Sequence, residues 1–111
     1  MIEGAERDKA PEGAPRAVVY VINIDPKDCD RLVKRVHDLG KHELKNIPGF
    51  MEARLLVSDD STRIIVETLW ESRHDWSHSR WDEEVQRLWS DIFTVAKDID
   101  LKFYGRREII A

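Results

Sequence analysis

Cysteine is nearly absent. Cys29 is the single thiol in 111 residues, which excludes an intrachain disulfide and fits a reducing compartment, the cytoplasm by default. No apolar run approaches the roughly 20 residues that span a bilayer, and Met1–Arg16 lacks the apolar stretch of a secretory signal. Positive charge is not in excess. The formal net charge of −4 argues against nonspecific binding to nucleic acid or to an anionic membrane. The glycines are too scattered to build a phosphate-cradling loop or a dinucleotide fingerprint, and neither a nucleophile elbow nor zinc-finger spacing is present. What is present, 41% hydrophobic and 36% charged residues, is the balance of one water-soluble domain with a compact core.

Gly4, Pro11, Gly13 and Pro15 stand among charges and alanines, so residues 1–16 read as a flexible arm ahead of a domain over 17–111. Ala17–Ile24 is β-branched and aromatic and predicts a strand. Asp25-Pro26 ends it and opens a helix, the carboxylate as cap and the proline at the first helical position. Cys29, Leu32, Val33, Val36 and Leu39 then recur at three and four, predicting a helix over about Pro26–Leu44. Ile47-Pro48-Gly49 stops it. Phe50–Val57 and Arg63–Trp70 flank a turn-rich Ser58–Ser61 and predict a hairpin. Arg73 to about Lys97 is again helical. Unbroken it would measure roughly 36 Å at 1.5 Å per residue, against roughly 27 Å for an eight-residue strand, so a break is expected. Two capping-box spacings mark possible starts, Ser72 with Asp75 and Ser79 with Asp82. The second segment carries the stripe Val85, Leu88, Trp89, Ile92, Val95, Ala96. Ile99–Ile110 completes the order as a last strand, weakened by Gly105.

The order β-α-β-β-α-β predicts an α+β, ferredoxin-like domain: a four-stranded antiparallel sheet with helices on one face. Both faces of that sheet are apolar. Val19 and Val21 oppose Tyr20, Ile22 and Ile24; Ile64, Val66 and Trp70 oppose Ile65 and Leu69; Phe50 and Leu56 oppose Met51, Leu55 and Val57. A monomer would expose a patch of several hundred Å². A homodimer, sheet against sheet, removes it.

Ile47-Pro48-Gly49-Phe50 before the second strand and Trp70-Glu71-Ser72 closing the third, with Trp76 six residues beyond Trp70, resemble the antibiotic-biosynthesis monooxygenase-like family. The resemblance covers about residues 17–110. It implies a dimeric α+β barrel with a cleft between sheet and helices. It also implies activities that include cofactor-independent oxygenation of quinol-like and polyketide aromatics, haem degradation, or none known. The haem-degrading branch has an Asn on the first strand, a Trp nine residues after that of Trp-x-Ser, and an iron-binding His ten further on. Asn23 answers to the first, but Ser79 and Trp89 occupy the other two positions, so the iron ligand is missing.

Each candidate site residue has a plainer alternative. Asn23 interrupts an apolar strand; it either orients a substrate oxygen or pairs at the strand end. Trp70 either walls an aromatic cleft or anchors core. Trp76 and Trp81 flank the expected helix break, and with Tyr20 they are the remaining substrate-contact candidates; the four tryptophans all lie between positions 70 and 89. His74 and His78, four apart, share one helix face. They are candidates for a general base; without telling partners they are a poor metal site. His37 belongs at the surface, and Cys29, on an apolar stripe, is a structural thiol. The expected function is a cofactor-independent monooxygenase-like protein for an aromatic or quinol-type small molecule. The alternative is a noncatalytic ligand-binding barrel, with haem binding a third option.

Overall fold

The computed structural model describes residues 13–111, so most of the expected arm lies outside the described residues. Strand β1 (Arg16–Ile24) alternates buried and part-exposed positions along its whole length. Asp25 caps helix α1 (Pro26–His42): its carboxylate accepts from the Lys27 amide at 3.0 Å and Pro26 fills the first turn. Cys29, Leu32, Val36 and Leu39 form the buried stripe of α1. A 3-10 turn, Leu44–Asn46, follows, so the regular helix ends two residues before the predicted boundary. Strands β2 (Phe50–Val57) and β3 (Arg63–Trp70) form the hairpin. Its loop is held by Asp60, whose carboxylate accepts from the Ser58 and Thr62 hydroxyls at 2.8 and 2.6 Å.

The long helix is broken as its length required. Helix α2 (Arg73–Ser79) is capped by Ser72, which accepts from the Asp75 amide. Helix α3 (Glu83–Val95) is capped by Asp82, not by Ser79. Ser79 is buried and its hydroxyl folds back onto the Trp76 carbonyl at 2.6 Å. The Asp82 carboxylate instead accepts from both Glu84 and Val85 amides. Strand β4 (Ala96–Tyr104) starts three residues earlier than predicted and ends before Gly105; the predicted extension to Ile110 does not form.

The sheet order is β2-β3-β1-β4, all pairs antiparallel. This is the expected α+β, ferredoxin-like architecture. The helix-covered face carries Val18, Tyr20, Ile22 and Ile24 of β1 and Ile64, Val66, Thr68 and Trp70 of β3, which with the α1 and α3 stripes make up the core. The outer face carries Ala17, Val19, Val21, Ile65 and Leu69. One residue changes sides from the predicted alternation. A bulge between Phe50 and Glu52 pairs Phe50 with Trp70 and Glu52 with Leu69. Phe50 therefore joins Leu55 on the helix side and meets Trp70 edge-on at 5.4 Å, while Leu56 faces outward. A bulge adds one residue to one strand and resets the parity of everything beyond it. Among the described residues no helix is long and apolar enough to cross a membrane.

Candidate functional site

The helices leave the β4 side of their face partly uncovered, and Ile99 and Leu101 there are only part-buried. Helices α2 and α3 rise beside this strip as two walls. The result is a groove of about 750 Å³ with Trp76, Arg80 and Trp81 on one wall, Trp89 and Phe93 on the other, and Ile99 and Leu101 as floor. Wall residues come in pairs four apart, Trp76 with Arg80 and Trp89 with Phe93, the spacing that puts side chains on one helix face. Trp81 and Phe93 stand 78% and 70% exposed at the rim. Trp76, Arg80 and Trp89 also border a smaller inner cavity of about 50 Å³ that reaches Tyr20, Thr68 and Trp70.

The inner end is a closed polar chain inside an apolar shell. The Trp76 indole N–H donates to the Tyr20 hydroxyl at 2.8 Å, and Tyr20 is also hydrogen-bonded to Thr68. Trp70 Nε1 donates to Thr68 Oγ1 at 2.9 Å, and Thr68 donates to the Val18 carbonyl at 3.1 Å. The rings interlock edge to face: Tyr20 on Trp89 at 5.0 Å and Trp76 on Phe103 at 4.8 Å. Buried polar groups paired this completely hold their rings in one orientation. The guanidinium of Arg80 lies 5.3 Å from the centre of the Trp76 ring.

Burial pushes the Tyr20 phenol above its ordinary value, opposed by its bonds with Trp76 and Thr68 and by the charge of Arg80. A phenol that ionises later when folded stabilises the fold fully below its ordinary value of about 10, and that contribution is lost as pH climbs toward the raised one. Burial, with Asp30 second, raises the Cys29 thiol too, with the same sign from a lower pH. Tyr20→Phe is therefore expected to flatten, though not abolish, the loss of stability in urea titrations between about pH 9 and 11. Parallel wild-type and variant curves would contradict the assignment.

The structure brings Trp76 and Trp81 to this groove and puts Tyr20 and Trp70 in the inner cavity behind it. It does not bring Asn23 or the histidines. Asn23 lies on the outer face, where it accepts from Arg63 Nε at 2.9 Å and donates to Asp98 at 2.6 Å. Strand alternation requires this, since Asn23 is three residues from Tyr20 and so points the opposite way. His74 and His78 are exposed, with ring centres 6.0 Å apart. Each is two residues from Trp76, about 200° around the helix at 100° per residue, so Trp76 facing the sheet turns both outward. Among the described residues no group of three or more His, Cys, Asp or Glu is placed to hold a metal. Arg80, Trp89 and Phe93 are groove residues absent from the sequence-based candidates.

A family model described as antibiotic biosynthesis monooxygenase matches residues 15–88. The chain belongs to that family. Solved structures agree in fold. Rv0793 from Mycobacterium tuberculosis superposes with a TM-score of 0.76 at 12% identity, over 88% of this chain and all (100%) of that one. A conserved protein from Methanosarcina mazei gives 0.76 at 9% identity, over 86% and 96%. SnoaB, a cofactor-independent oxygenase from Streptomyces nogalater, gives 0.71 at 11% identity, over 87% and 97%. At such identities the likeness is one of fold. No curated protein matches the chain in sequence. The family assignment and the groove thus rest on separate observations, the first on sequence and the second on side-chain geometry.

Proposed function

We propose that this antibiotic biosynthesis monooxygenase family member is a cofactor-independent oxygenase of aromatic or quinol-type small molecules, with the groove between α2, α3 and β4 as its substrate site. The observation that carries the proposal is the groove itself: aromatic walls sized for a fused-ring ligand, opening onto a buried hydroxyl at Tyr20. Its likeness in fold to SnoaB supports the reading.

In an anthrone-type substrate the ring methylene gives its proton to solvent at the groove mouth as the enolate forms, and the resulting electron-rich anion reduces dioxygen directly. One oxygen atom bonds to that carbon and becomes a carbonyl; the other leaves as water with the two hydrogens the carbon has lost. No flavin or metal enters this balance. The apolar walls exclude bulk water and destabilise the localised anion relative to its delocalised form. The Tyr20–Trp76 pair offers a fixed dipole to the substrate oxygens. An oxygen electrode tests the activity with anthrone and dihydroxynaphthalene. Uptake above a boiled control is expected, and its absence across both substrates would overturn the reading.

A second reading has its own support. His74, His78 and Asn23 lie away from the groove, whose lining holds neither histidine nor carboxylate among the described residues. A noncatalytic ligand-binding protein needs no base, and it predicts ligand-dependent tryptophan fluorescence without turnover. The missing histidine likewise weakens the haem reading.

The proposal includes a cytoplasmic homodimer assembled through the outer sheet face. That face presents Ala17, Val19, Val21, Leu56, Ile65 and Leu69 around a depression of about 390 Å³, with Arg63, Asn23 and Asp98 bonded together at one end. Light scattering at micromolar concentration should return twice the 13.0 kDa chain mass; a monomer mass would contradict it.

A further inference from the structure

One charge borders the groove. Among the described residues, Arg80 is the only ionised side chain that lines it, and the only one that lines the inner cavity. Trp76, Arg80 and Trp89 are the three residues common to both spaces, which puts Arg80 where the two adjoin. Its backbone is fixed on both sides: the Arg80 amide donates to the Ser77 carbonyl at 3.3 Å, and the Arg80 carbonyl accepts from Gln86 Nε2 at 3.1 Å. No carboxylate among the described residues is paired with it. Its one described side-chain neighbour is the Trp76 ring, 5.3 Å away. Stacking on an aromatic face suits a guanidinium and leaves its in-plane N–H groups free to point at a ligand. The charge already reaches the inner end, where it acts on the Tyr20 phenol.

We infer that Arg80 makes the groove selective for planar aromatic anions, meaning carboxylates or ionised phenols and enols, over neutral rings of the same shape. The inference rests on the groove being the ligand site of the proposed function, and it names the substrate class for that site. It also supplies what the groove lacks. With no base among the described lining residues, the substrate must bind as an anion or be made more acidic on binding, and a cation beside the groove does both. The fused rings lie between Trp76 and Trp89, and the charged oxygen meets the Arg80 guanidinium, a charge-assisted contact.

Binding is read by tryptophan quenching with oxygen removed, using 2-naphthoate and its neutral isostere 2-naphthamide. Wild-type protein is expected to favour the acid by about tenfold. Arg80→Gln should bring the ratio near one, and Arg80→Lys should restore part of it. The same site should lower the pKa of bound 2-naphthol, followed by absorbance, by about one unit, and Arg80→Gln should remove that shift. Arg80 is exposed, so the variant should melt like wild type. Equal wild-type affinity for the two naphthalenes, an acid preference that survives in Arg80→Gln, or no quenching by either compound would each overturn the inference. Absent oxygen uptake would contradict the proposed activity and leave this anion preference standing.

Discussion

Trp70→Ala is expected to lower unfolding stability by about 3–5 kcal/mol, the cost of removing a large ring from a packed core. A domain of this size has only about 5–15 kcal/mol in hand, so the variant sits near the threshold of folding. Trp70 is 2% exposed at the end of β3. Its ring meets Phe50 edge-on at 5.4 Å, and its indole N–H donates to Thr68 at 2.9 Å. The loss is therefore volume, an aromatic contact and one member of the chain that holds Tyr20. Trp70→Phe keeps most of the volume and should cost about 1–2 kcal/mol, mainly the hydrogen bond. Urea unfolding with an unchanged slope checks both. Near-wild-type stability in Trp70→Ala with ligand binding lost would move the residue from core to site.

Two glycine substitutions should act in opposite directions. Gly49 sits at φ +85, where an L-residue costs about 1–2 kcal/mol. A Cβ there would also overlap Cβ and Cγ of Asp75, atoms close to the α2 backbone that cannot swing aside. Gly49 further accepts from the Glu71 amide at 2.8 Å, so the turn before β2 is locked to the segment between β3 and α2. Forcing these apart adds about 1–3 kcal/mol, and Gly49→Ala should lose roughly 2–5 kcal/mol in all. Gly40 lies inside α1 with nothing within 4 Å of its would-be Cβ. Gly40→Ala should gain about 0.5–1 kcal/mol through helix propensity and a less free unfolded chain. Parallel thermal melts of the two variants check the pair; equal effects would contradict the turn geometry.

Most of the fold was legible because its signals are local. The Asp25-Pro26 cap, the α1 stripe, the hairpin and the need for a helix break all follow from neighbouring residues. The bulge at Phe50–Glu52 was not, because it depends on how β2 registers on β3, and it moved Phe50 to the other face. The cap of α3 was ambiguous for a similar reason: Ser79 has the right spacing, but its hydroxyl is taken by the Trp76 carbonyl.

The site was legible in part. The tryptophan concentration marked the segment that builds the groove walls, with Trp76 and Trp81 in the lining and Tyr20 in the cavity behind them. That Asn23 and the histidine pair face away from the groove needed only parity: odd positions of β1 oppose Tyr20, and positions two from Trp76 oppose it on α2. Arg80 and Phe93 were hidden because an exposed arginine and an exposed phenylalanine carry no signal until their four-residue partners, Trp76 and Trp89, are known to line a cavity.

The central claim is that ligand occupies the helix-side groove while the outer sheet face serves assembly. The indole N–H signals of the four tryptophans, followed by nitrogen-resolved NMR during titration with 2-naphthoate, test it most directly. The account predicts that Trp76 and Trp89 shift most, with Trp81 following at the rim and backbone amides of Val19, Val21 and Ile65 nearly still. Shifts centred on those outer-face amides, with the Trp76 and Trp89 indoles unmoved, would contradict it.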